Sequence, residues 1–187
     1  MRRLALVMLF ATLVHVTTFT QSRPRIRQHG RATVEYSTDT VKAVAAYEYS
    51  RRNHDGPWLL IEFAIVAKER IAIHRDQIGI IAAEGRRIPV SSQQMFLKDH
   101  DELNKLLQNA VVSRHPLDSY FVTRPQPTIR FFSFPGAIVH DTFVTNQDEA
   151  AQGDLLFKSP DGTWKEGTYR LVVDHEHAKV ELPISLQ

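Results

Sequence analysis

The chain has 187 residues, 43% hydrophobic and 24% charged, which fits one globular domain with a sizeable core and excludes a disordered chain. It has no cysteine, and therefore no disulfide framework, thiolate metal site or cysteine nucleophile. Six basic residues and no acids fall in residues 1–31, leaving 17 basic against 21 acidic side chains in residues 32–187, so the basicity gives the domain no nucleic-acid-binding face.

Met1-Arg2-Arg3 precedes an uncharged apolar run, Leu4 to Phe19. Its length suits the core of a signal peptide better than a spanning helix, and Thr18, Thr20 and Ser22 supply small residues for cleavage. Arg23, Arg25 and Arg27 follow directly, where positive charge resists translocation. Residues 1–22 thus read as a signal peptide or, alternatively, a signal anchor through residues 4–19. The expected location is periplasmic or extracellular. Residues 23–33 read as a basic flexible linker; this arm and an uncleaved leader are the only expected membrane contacts. Residues 34–187 read as one domain.

In that domain Val41–Ser50 reads as a strand, and Asp55-Gly56-Pro57 as a turn. Trp58–Ala67 is apolar on both parities, which predicts a central strand covered on both faces. A hairpin is expected across Glu84-Gly85. One amphipathic helix is predicted over about 99–114. Asp99 and Glu102 form an acidic capping box, and Leu103, Leu106, Leu107, Ala110 and Val111 form one stripe, read as a lid over a sheet. His115-Pro116 closes it. Arg124–Pro127 is a stiff connector to a strand over Thr128–Phe134, ended by Pro135-Gly136, and Val139–Val144 reads as another strand. Many short strands with one helix predict a mostly β fold, an antiparallel β-sandwich.

The final hairpin carries the sequence DHEH. Centred on His175-Glu176, it would pair Val173 with Ala178, Leu171 with Val180 and Tyr169 with Leu182, all apolar. Arg170, Lys179 and Glu181 fall on the other face, and a one-residue slip would bury them. His175 and His177 are the candidate metal ligands, but a zinc site needs three or four convergent groups and no third is assigned. The stretch reads as a solvated turn.

Trp164-Lys165-Glu166-Gly167-Thr168-Tyr169-Arg170-Leu171 resembles the G-x-Y-x-hydrophobic entry to the penultimate strand of immunoglobulin-like domains. The resemblance implies an immunoglobulin-like sandwich with a tyrosine corner at Tyr169. Leu171 would stand where antibody domains have their second cysteine, and Trp58 in the place of their core tryptophan. A buried Tyr169 ring would make Tyr169→Ala cost about 3–5 kcal/mol. The whole chain also resembles uncharacterised secreted bacterial proteins of this sandwich type, a likeness that implies no activity.

No G-x-S-x-G, H-E-x-x-H, phosphate-binding loop or G-x-G-x-x-G occurs. His140 and Asp141 are adjacent on an expected strand and would point to opposite faces. Asp99, Asp101 and Glu102 lack the rest of a calcium loop. No catalytic residue and no cofactor is assigned. The expectation is a non-catalytic exported domain that binds another envelope or extracellular protein or a surface ligand. The alternatives are a metal-dependent or hydrolytic enzyme built from dispersed His, Asp and Glu residues, and a membrane-anchored accessory subunit.

Overall fold

A computed structural model describes residues 23–135 and 137–187; the expected leader, residues 1–22, lies outside the described residues. Among the described residues no helix is long and apolar enough to cross a membrane. The first strands are β1 (Arg25–His29), β2 (Thr33–Ser37) and β3 (Val41–Ala46), followed by helix α1 (Glu48–Arg52). Next come β4 (Trp58–Ala67), β5 (Ile71–His74), β6 (Ile78–Ile81) and β7 (Arg87–Pro89). Helices α2 (Gln93–Lys98) and α3 (His100–Ala110) lead into an irregular stretch. The chain ends with β8 (Thr142–Thr145), β9 (Ala151–Lys158), β10 (Gly167–His175) and β11 (Ala178–Leu186).

One sheet has the order β1-β2-β3-β4-β9, a second β11-β10-β6-β7, and β5 pairs with β8; every strand pairing is antiparallel. Leu59, Ile61, Phe63 and Ile65 of β4 meet Ile78, Ile80, Leu171 and Val180 from the facing sheet in the main core. The fold is the expected mostly β antiparallel sandwich with a helical insertion. The other parity of β4 is covered too. Trp58 and Leu60 pack with Phe96, Leu103 and Ala110 of the helical insertion, and Ala64 packs with Leu117. A strand apolar on both parities therefore lies between two apolar layers. The Glu84-Gly85 hairpin also forms, with Gly85 at φ 87° and its N–H donating to Ala82 O at 2.9 Å.

Several local expectations need correction. Arg25–His29, read as flexible linker, is the edge strand β1, because Gly30 at φ 63° turns the chain back on β2. Glu35 then holds both His29, at 2.8 Å, and Lys42, at 3.1 Å. The Val41–Ser50 strand stops at Ala46. Beyond it, the Ser50 hydroxyl donates to Leu60 O at 2.9 Å and accepts from Leu60 N at 2.8 Å, tying α1 to β4. Asp99 precedes α3 but does not cap it by a side-chain bond; its carboxylate accepts a hydrogen bond from Trp58 Nε1 at 3.2 Å and pairs with Lys158. Val111 begins a 3₁₀ turn that rotates it off the stripe, and it is exposed.

Thr128–Phe134 is not a ladder strand. Gln126 bridges Ala151 in parallel and Ile129 N donates to Gln152 O at 3.1 Å; Pro127, between them, has no N–H to offer. Phe131 beyond them turns into the core. The β10–β11 register is also displaced by two residues: His175 pairs with Ala178, Val173 with Val180, Leu171 with Leu182 and Tyr169 with Ile184. A shift of two preserves every face assignment, since side chains alternate with period two. It leaves a tight Glu176-His177 turn, across which His175 Nδ1 accepts the His177 N–H at 3.2 Å.

Trp58 does not hold the core tryptophan's place; it faces the helices on the outer side of the first sheet. Trp164 is the tryptophan in the main core, its Nε1 donating to Pro57 O at 3.2 Å. Tyr169 does make the corner bond, its hydroxyl donating to Lys165 O at 3.0 Å, with its ring edge-on to Trp164. The ring is only half-buried, which lowers the expected cost of truncation. Tyr169→Phe is expected to cost about 1 kcal/mol and Tyr169→Ala about 2 kcal/mol by urea denaturation. Equal losses for both would place the whole effect in the hydroxyl bond.

Candidate functional site

Glu62 is the one acid in the ten-residue strand β4, and it lies on the outer face between Leu60 and Ala64. Antiparallel pairing sets it directly opposite Asp154 of β9. Gln152 and Leu156 of β9 bond outward, to Ile129 and Ser91, so the alternation also turns the Asp154 peptide groups outward. Glu62 and Asp154 thus form a non-hydrogen-bonded cross-strand pair, the type whose Cα atoms approach to about 4.5 Å and whose side chains lie closest.

Two neighbouring carboxylates require a counter-charge, and the turn after α3 supplies it. Arg114 forks onto Asp154 at 2.8 and 2.6 Å and reaches to 3.9 Å from Glu62. The next residue, His115, donates its backbone N–H to Glu62 Oε2 at 3.2 Å. Burial pushes the Glu62 carboxyl up to about 7 and Asp154 adds to the shift, while Arg114 and the His115 N–H oppose it. The hydrogen bonds to Asp154 hold the Arg114 guanidinium above its ordinary range. The pair therefore divides: Asp154 is the arginine-bound carboxylate, and Glu62 is the group that titrates near neutrality.

These residues form the floor of a groove of about 1020 Å³. Its walls include Leu107 of α3 and Ile129, Phe132 and Phe134 of the irregular stretch. Phe96 stacks on Phe132 with centroids 5.5 Å apart and meets Phe134 at 5.2 Å, which makes the wall a ring cluster. A polar chain leaves the floor on the other side. His115 Nε2 shares a proton with the Tyr120 hydroxyl at 2.8 Å, and the Tyr120 ring stands edge-on to His29, which pairs with Glu35.

The residues singled out by sequence do not gather here. His175 and His177 lie at the β10–β11 turn with ring centroids 5.8 Å apart, and Glu176 contacts His177 at 3.1 Å. Among the described residues no group of three or more His, Asp or Glu side chains is placed to hold a metal ion. His140 and Asp141 line different grooves, Asp141 pairing with Arg75 and His140 lying beside Thr142 and Val144. Glu62, Arg114 and Asp154 were not singled out. The available signal was a lone acid at the centre of an otherwise apolar strand.

No family model, no curated protein and no solved structure matches this chain. The functional reading therefore rests on the groove.

Proposed function

We propose that the chain is a non-catalytic exported binding module, periplasmic or extracellular, whose partner is another envelope or extracellular protein and whose binding site is this groove. The observation that carries the reading is a phenylalanine-walled groove over a floor where Arg114 is already forked onto Asp154 beside the buried Glu62 carboxyl. Such a site offers apolar contact with a few fixed polar groups, the usual composition of a ligand pocket. The test is NMR titration of the full chain with small aromatic fragments such as indole and benzamide. Saturable shifts at Leu107, Phe132 and Phe134 are expected, and Leu107→Trp, which fills the groove, should abolish them. Shifts scattered over the surface, or unchanged in that variant, would remove the reading.

A second reading makes the same groove hydrolytic, favoured by one observation, the Glu62 carboxyl raised to about 7 beside the arginine-bound Asp154. Glu62 would serve as the proton donor. Turnover of an ester or glycoside panel that is lost in Glu62→Gln, with fragment binding retained, would favour it over simple binding.

A further inference from the structure

We propose that the occupant of the groove is an extended polypeptide segment that adds a short strand to the outer edge of β9 at Asp154. The inference rests on the groove being the binding site. β9 is the last strand of its sheet, so its outward peptide groups have no strand partner. Most are nevertheless satisfied. Gln152 accepts from Ile129 N at 3.1 Å and donates to Gln126 O at 2.8 Å; Leu156 O accepts from Ser91 N at 2.9 Å, and Lys158 N donates to Ser91 Oγ at 3.0 Å. Asp154 is the outward residue between these two clamps, and among the described residues neither its N–H nor its C=O has a partner.

An unpaired donor and acceptor on one residue, spaced for a β ladder, match the acceptor and donor of one residue in an extended chain. Gln152 and Leu156 are four residues apart, a span of about 13 Å whose two ends are already occupied, so about two or three residues of a ligand fit between the clamps. The position lies inside the groove, because Gln152, Gly153, Asp154 and Leu156 all line it. Alternate ligand side chains would project toward the Phe132 and Phe134 rings. A small molecule could fill the aromatic wall, but an extended residue, with its N–H and C=O on one side, supplies both missing bonds in ladder geometry. The specificity expected is for backbone conformation and one large apolar side chain, not for a charged motif.

The probe is a capped hexapeptide alternating threonine with phenylalanine, leucine and valine, added to the full chain labelled with ¹⁵N. Hydrogen exchange of the Asp154 amide should slow on binding. N-methylation at one peptide position should weaken binding about tenfold, the equivalent of losing one or two net hydrogen bonds, while the adjacent position tolerates it. Peptide shifts at Phe132 and Phe134 with unchanged Asp154 exchange, and tolerance of every N-methyl group, would overturn strand addition while leaving the groove as a binding site. Fragment binding without any peptide binding would overturn it as well. If neither binds, the groove itself is not the site. Protection of Asp154 that rises with protein concentration alone would overturn the proposal in favour of a second copy of the chain.

Discussion

Gly153→Val is expected to lower stability by about 3 kcal/mol and to abolish fragment binding in the groove. A Cβ at residue 153 would stand 2.3 Å from Ile129 O and 2.7 Å from Ile129 Cβ. The first of these is backbone, not the free end of a side chain, so relief requires the 126–131 segment to move. That segment is fastened on both sides. Ile129 N is bonded to Gln152, and Ile129 and Phe131 are both buried in the main core. Moving it outward would expose them and displace the phenylalanine wall that follows. Urea denaturation reads the first effect and fragment titration the second. Gly56→Ala is the control, since no atom lies within 4 Å of its added Cβ, and it should cost well under 1 kcal/mol. If Gly153→Val matches that control, the 126–131 segment is not a fixed wall and the groove is not preformed.

Where the sequence could be read and where it could not follows from which forces are local. β4 was legible because burial on both faces leaves an apolar residue at nearly every position. Faces of the final hairpin were legible for the same reason, but its register was not: shifts of two residues are equivalent to an apolar-polar alternation. The His175 ring, accepting a backbone N–H across a two-residue turn, breaks that equivalence. Thr128–Phe134 has strand composition yet no free strand beside it, because Ser91 and Gln126 already occupy parts of the β9 edge. Asp99 has the sequence of a cap, but Lys158 and Trp58, distant in the chain, claim its carboxylate. The site shows this most clearly. Glu62 is conspicuous in β4, whereas Asp154 and Arg114 acquire meaning only when β9 pairs with β4 and α3 lies across both. Arg114 and Asp154 are 40 residues apart, and no local pattern links them.

Glu62→Gln is expected to stabilise the protein at pH 8 and to leave it nearly unchanged at pH 4.5. The Glu62 carboxyl is pushed up from an ordinary 4.5 to about 7, chiefly by burial, so the folded chain holds its proton more tightly than the unfolded chain. A raised acid pKa makes stability fall with rising pH, because the native state binds more protons through the window between the two values. The penalty is absent below about 4.5, grows toward 7 and is complete above it. A shift of this size corresponds to about 3 kcal/mol, and solvent at the groove mouth reduces the expected gain to about 1–2 kcal/mol. Glutamine keeps an oxygen to accept the His115 N–H and carries no charge to repel Asp154. What it gives up is attraction to Arg114, which is already forked onto Asp154. The informative quantity is the difference between wild type and variant in urea denaturation at the two pH values, from which other titrating groups largely cancel. A gain confined to pH 8 would place an ionised, desolvated Glu62 on the groove floor. An equal change at both pH values would mean that the effect is packing and that Glu62 titrates in the ordinary carboxylate range, which would also remove the basis for a hydrolytic role.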